Sequence, residues 1–162
     1  GELDALIGGK KTLKKTLGLE IEVEFQHIYK NQPLFNKVFE FLTSNNFAFI
    51  DFTRLVRWER ENLYSYNGQC MWGDSIFLRT PEYVLNNFSD IEVFKNYIVI
   101  CVLYNKFDFV KIILEQKSAA LHFTKSFNLL ERKFRKRNAS LHRINQFLKL
   151  INFSEVDIHT TH

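Results

Sequence analysis

The chain has little of what would make it disulfide-stapled, loop-built or membrane-spanning. Its two cysteines, Cys70 and Cys101, lie far apart and outside any C-x-x-C spacing, which leaves a disulfide framework or a cysteine zinc site without support. A reducing, cytoplasmic setting is the default expectation. Six glycines and two prolines in 162 residues favour regular elements over irregular ones. No G-x-G-x-x-G or similar glycine loop occurs anywhere. The longest apolar run, YIVICVLY at 97–104, falls far short of the roughly 20 residues that cross a bilayer and reads as a buried helix. There is no leader-like n-region or h-region: a helical turn, ELDAL, begins at Glu2, so the sequence reads as cut from something longer.

What is present suits one packed core, with 46% hydrophobic residues and 17 phenylalanines. The net charge of +4 has a local origin. Arg132, Lys133, Arg135, Lys136 and Arg137, in RKFRKR, carry more than the whole excess, so the rest of the chain is close to neutral. A global basic field that would recruit nucleic acid is therefore not expected. HTTH at the end, with His159 and His162, offers two imidazoles and no third ligand at metal spacing.

Residues 2–16 read as one helix or two short ones, interrupted at Gly8-Gly9. Residues 17–25 alternate strictly and read as a strand. Pro33 marks a helix start, and Leu34, Phe35, Val38, Phe39 and Leu42 repeat as the stripe of a helix packed on a sheet, ended by SNN. FAFIDFT at 47–53 reads as the next strand, and a looser stretch with an Asn67-Gly68 turn leads to a last strand at 74–80, stopped by Pro81. Beyond residue 81 only helices are expected. SDIE at 89–92 suggests a capping box on Ser89, opening a helix to about residue 104. FDFVKIILEQK then returns antiparallel to it, and further helices follow at 123–137 and 140–151. The chain thus divides into an α/β segment at 1–81 and an all-α extension at 82–162.

The stretch LEIEVEFQHIYKNQPLF places Glu20, Glu22 and Glu24 on every second residue of an apolar strand. Three explanations stand open: a wet edge-strand face, pairing with nearby lysines, or a strand end that opens into an active site. Alternation alone does not choose among them.

Several stretches in order resemble the C-terminal half of the FkbM-type methyltransferases. GELDALIGG resembles the end of that family's D-x-Q-G-x-E-x-x-x-L-x-G segment, with Glu2 in the place of its glutamate. Glu22, Val23, Glu24, Phe25, Tyr29, Gln32, Pro33, Leu34 and Phe35 match E-V-E-F…Y-x-x-Q-P-L-F. Gly68, Gln69, Asp74, Phe77, Leu78, Arg79 and Pro81 match G-Q…D-x-x-F-L-R-x-P. The resemblance covers residues 1–81. It implies the C-terminal portion of a doubly wound, Rossmann-like class I methyltransferase sheet. The 74–79 strand should then run antiparallel between the strands at 17–25 and 47–53.

It further implies S-adenosylmethionine as cofactor and methyl transfer to a hydroxyl of a sugar or natural product. The residues that hold the cofactor are expected upstream of Gly1, so this piece alone is expected to be inactive. Residues 24–29 would lie at the carboxyl end of the fifth strand, where open α/β sheets place ligands. Glu24 and His27 are then the candidate catalytic residues, His27 for its ordinary pKa and Glu24 because burial could raise it toward the working range. Glu2, Tyr29 and Gln32 are candidate substrate-binding residues, and no metal is assigned. An unpaired sheet edge near residue 17 makes self-association a further expectation. The competing reading is a non-catalytic helical module that binds an anionic partner through residues 132–137.

Overall fold

Seven residues of alternating sequence set the frame. In the computed structural model, which describes residues 1–30, 32–60, 68–121 and 132, they form β1 (Gly18–Glu24). Before it run two short helices, α1 (Glu2–Gly8) and α2 (Lys10–Leu13). Gly9 joins them: its N–H donates to the Ala5 carbonyl at 2.8 Å and its carbonyl accepts from Leu13 at 2.9 Å. After β1 come α3 (Phe35–Ser44), β2 (Phe47–Trp58), β3 (Gln69–Arg79), α4 (Pro81–Asn87), α5 (Ile91–Leu103) and α6 (Phe107–Leu121). The chain is therefore mixed α/β, with six helices and one three-stranded sheet among the described residues.

The strand order is β1-β3-β2, and β3 is antiparallel to both neighbours. β1 and β2 thus point the same way on either side of a reversed central strand, the placement expected of the 74–79 strand. One face of the sheet takes α3. Its buried Val38 and Leu42 pack with Val23, Phe47 and Phe77 from the strands and with Leu6 and Leu13 from α1 and α2. Six phenylalanines lie over this face: Phe25, Phe35, Phe39, Phe49, Phe52 and Phe77. The Phe25–Phe52 and Phe35–Phe49 pairs meet edge to face at 5.4 and 5.5 Å, the arrangement that a ring quadrupole favours. Asn46, at φ 62°, turns α3 into β2, a left-handed position that asparagine tolerates better than most residues.

Residues from Asn87 on form a second compact unit. Here α5 and α6 make a helical hairpin that buries Phe94, Tyr97, Ile98, Cys101 and Val102 of one helix and Val110, Ile113 and Leu114 of the other. Asn105, at φ 57°, makes the turn, and the Lys106 N–H returns to the Cys101 carbonyl at 2.7 Å.

Four details differ from the sequence reading. β2 continues to Trp58 and β3 begins at Gln69, so half of the looser stretch lies in these two strands. Pro81 does not merely stop β3; it opens α4, where a missing N–H and a fixed φ suit the first helical position. The cap of α5 is Asp90, whose carboxylate accepts from the Glu92 N–H at 2.9 Å, and not Ser89. α3 begins at Phe35, two residues after Pro33, with Leu34 as its cap. The Asn67 half of the turn signal, the helices expected at 123–137 and 140–151, HTTH, and all of RKFRKR except the exposed Arg132 lie outside the described residues.

Candidate functional site

Because side chains alternate across a strand, Glu20, Glu22 and Glu24 share the sheet face opposite α3, and their environments differ along it. Glu20 and Glu22 are exposed. Glu20 accepts a hydrogen bond from the Thr53 hydroxyl of β2. Ion pairs among the described residues are local, such as Lys37–Glu40 at 3.1 Å and Lys95–Glu92 at 2.7 Å, and none involves these three carboxylates. Lysine pairing is thereby set aside, and Glu20 and Glu22 fit the wet strand face.

Glu24 is different. It is only 6% exposed, at the carboxyl end of β1, opposite Trp72 of β3. The Trp72 ring carries the Arg54 guanidinium 4.5 Å from its centroid. Burial pushes the Glu24 carboxyl above the ordinary glutamate range, and the negative charges of Glu2 on α1 and Glu22 on β1 push it further. Its own backbone and the side chain of Gln32 pull the other way.

Gln32 is itself held. Its Oε1 accepts from the N–H groups of Ile28 at 3.3 Å and Tyr29 at 3.2 Å, and its own N–H reaches the Tyr29 carbonyl at 3.4 Å. Of the other four candidates, Glu2 and Gln32 are the ones that bear on the Glu24 charge. Tyr29 joins them through its main chain alone, its side chain being 72% exposed. His27 is exposed and is not among the groups that shift Glu24, so the geometry singles out the carboxylate and not the imidazole. No family model, curated protein or solved structure matches the chain.

Other groups have other duties. Among the described residues no three His, Cys, Asp or Glu side chains converge as metal ligands. Burial pushes the Cys101 thiol up to about 12, which removes it as a nucleophile at neutral pH.

Arg79, 2% exposed, is the charged residue that sequence reasoning passed over as a motif letter. Its Nε donates to the Thr16 carbonyl at 3.0 Å, and its two terminal nitrogens donate to the carbonyls of Asn45 and Leu13. Phe47 and Tyr83 sandwich it, with ring centroids 3.8 and 4.1 Å from Cζ. Leu13 ends α2 and Asn45 caps α3, so the guanidinium sits where helix carbonyls carry partial negative charge. A strand-ending arginine followed by a helix-opening proline was the available signal.

Proposed function

We propose that the chain is the C-terminal part of a class I, S-adenosylmethionine-dependent methyltransferase of the FkbM type. In this reading it supplies the last strands of a doubly wound sheet, and the helices after residue 81 are an appendage. The enzyme would work in the cytoplasm, transferring a methyl group to a hydroxyl of a sugar or natural product. The observation that carries the reading is the strand order: β3 reversed and inserted between β1 and β2, as the resemblance implies for the end of that sheet. Further support comes from the buried carboxylate at the carboxyl end of β1, the side on which open α/β sheets bind ligands.

Glu24 is the proton acceptor for the substrate hydroxyl in this scheme. A carboxylate whose pKa is raised by burial and by like charge takes a proton more readily near neutral pH than an ordinary glutamate does. Glu2 sustains that shift through its charge. The residues present do not fit the cofactor itself: the chain has no glycine-rich loop, and no described glycine adopts a positive φ.

The test uses the full encoded protein, incubated with methyl-labelled S-adenosylmethionine and a panel of saccharides and hydroxylated small molecules. Transfer of label to an acceptor is expected, and Glu24→Gln should lower it by about 10²–10⁴-fold with binding of the cofactor kept. A full-length protein that does not bind S-adenosylmethionine would overturn the reading.

A further inference from the structure

Lys10, Lys11, Lys14 and Lys15 fall within six residues, on α2 and the turn that ends it, and all four are exposed. Their spacing puts the ammonium groups on one side of the helix, while Leu13 is buried on the other. Among the described residues none of the four enters an ion pair. Lys10 meets a ring, with its Nζ 6.0 Å from the centroid of the half-buried Phe41. The nearest carboxylates in sequence, Glu2 and Asp4, lie at the start of α1, and Asp4 is taken by the Gly1 amino group at 2.9 Å. Lys10 with Lys14 and Lys11 with Lys15 are like charges one helical turn apart, an arrangement that destabilises a helix until an anion meets it.

The backbone beneath these lysines is pinned to the sheet and to α4. Arg79 donates to the Leu13 carbonyl and, at 3.0 Å, to the Thr16 carbonyl, and the Tyr83 hydroxyl donates to the Lys14 carbonyl at 3.4 Å. The ammonium groups thus hang from a fixed base. Ile7, 46% exposed, stands three residues before Lys10 and four before Lys11, and the helical hydrogen bonds through Gly9 carry the same side across the joint. An exposed aliphatic side chain beside a row of lysines is the pattern of a helix that lies in a membrane interface. α2 packs through Leu13 into the core on the α3 side of the sheet, whereas Glu20, Glu22, Glu24 and Asp74 share the opposite face. The lysines and these carboxylates therefore lie on opposite sides of the sheet.

We propose that α2 and Ile7 form a docking surface for an anionic lipid bilayer, which Lys10, Lys11, Lys14 and Lys15 hold by charge and Ile7 by burial in the headgroup boundary. Two features favour lipid over nucleic acid. The cations are lysines, point charges without the planar fork that arginine offers to phosphates and bases, and no exposed ring stands among them to stack a base. Ile7 gains from an acyl boundary and gains nothing from a polyanion in water. No helix among the described residues is long and apolar enough to cross a membrane, so the attachment is peripheral. The same lipids repel the carboxylates of the opposite face, which fixes the orientation and turns the Glu24 side of the sheet away from the bilayer. The inference is independent of the methyltransferase reading, and each can fail without the other.

The experiment is sedimentation of the chain with vesicles of phosphatidylcholine alone and of phosphatidylcholine with phosphatidylserine, at low and at physiological ionic strength. Binding is expected only with phosphatidylserine, and it should weaken steeply with salt, because screening at physiological ionic strength acts within about 8 Å. Each lysine near an anionic surface contributes about fivefold to partitioning, so Lys10→Gln, Lys11→Gln, Lys14→Gln and Lys15→Gln together should lower binding by about 10²–10³-fold. All four side chains are exposed, so the melting curve should be kept. Ile7→Ser should lower binding by about threefold to tenfold. Changing Arg135, Lys136 and Arg137 to Gln tests the other basic run in the same assay. A wild-type chain that ignores phosphatidylserine would overturn the proposal whether or not the variants fold. So would binding that survives the four lysine changes and is lost with Arg135, Lys136 and Arg137. Binding to single-stranded RNA as tight as that to the vesicles, and equally sensitive to the lysine changes, would overturn lipid as the partner.

Discussion

The two ends of the sheet each bury one charged side chain, and the two are treated in opposite ways. At the end where β3 finishes, Arg79 is met by three carbonyls and two aromatic faces. At the end where β1 finishes, the charges of Glu2 and Glu22 push against the buried Glu24, and only its own backbone and Gln32 favour its charge. The arginine's carbonyl and ring partners hold its charge in place, although burial opposes it. The glutamate's surroundings oppose its charge and hold it in place regardless. Burial lowers the first pKa and raises the second, but a guanidinium starts so far above neutral that it stays charged, whereas a carboxylate starts close enough for the rise to matter. A fully satisfied buried charge is a fastener, and a poorly satisfied one is a reagent held ready.

The comparison breaks first at the fastener. Arg79→Met should cost about 3–5 kcal/mol, because it leaves carbonyls at the ends of α2 and α3 without a donor while keeping most of the aliphatic packing. Arg79→Lys should recover only part of this, since a single ammonium cannot reach three carbonyls or lie flat between Phe47 and Tyr83. Urea unfolding of both variants checks the order. A loss below about 1 kcal/mol for Arg79→Met would show that the three bonds do not hold these elements together.

Gly73 gives the next effect. A Cβ there would meet the Arg54 carbonyl oxygen at 2.5 Å and a Leu55 methyl at 2.9 Å, so Gly73→Ala must pry β2 from β3 beside the Glu24 end. A cost of about 1–3 kcal/mol is expected in the same unfolding measurement. A neutral substitution would mean that this end of the sheet yields easily, which would weaken the contrast with Glu24 held firmly in an unfavourable setting.

How much of this could be read in the sequence follows the same division. The elements were legible where one period held. Residues 18–24 alternate cleanly, and 35–44 repeat at three and four, so β1 and α3 were found. β2 was cut short at Thr53 because its register against β3 shifts between Phe49 and Asp51, between Phe52 and Arg54, and between Val56 and Arg57. Each shift breaks the two-residue period that sequence reading depends on. α4 was missed because a proline after a strand reads as a stop before it reads as a first helical position.

The site was half legible. Alternation put three glutamates on one face, but nothing in it says that only the third is buried. That depends on β3 bringing Trp72 opposite Glu24 from 48 residues away. Gln32 was found as a residue of interest, but its hydrogen bonds to Ile28 and Tyr29 leave no mark on composition or period.

The smallest expected effect is also the sharpest test of the contrast. The folded-state pKa of Glu24 lies above its unfolded value, so the folded chain binds this proton more tightly than the unfolded chain does. The stability linked to the protonated group is then fully present below the unfolded pKa, about 4.3, and is lost as pH rises through the folded pKa. Glu24→Gln stays neutral at every pH and escapes that loss. Its melting temperature should match or fall slightly below that of the wild type near pH 4 and rise above it by pH 7. The gain should be a few degrees at most, since about 1 kcal/mol moves the midpoint of a domain this size by roughly 4 °C. Glu2→Gln and Glu22→Gln, which each remove one repelling charge, should flatten part of the wild-type slope between those two pH values. Circular dichroism melts across the range give all four curves. A Glu24→Gln difference that stays constant with pH, or that favours the wild type more as pH rises, would mean that the carboxylate is as well satisfied as the arginine at the other end.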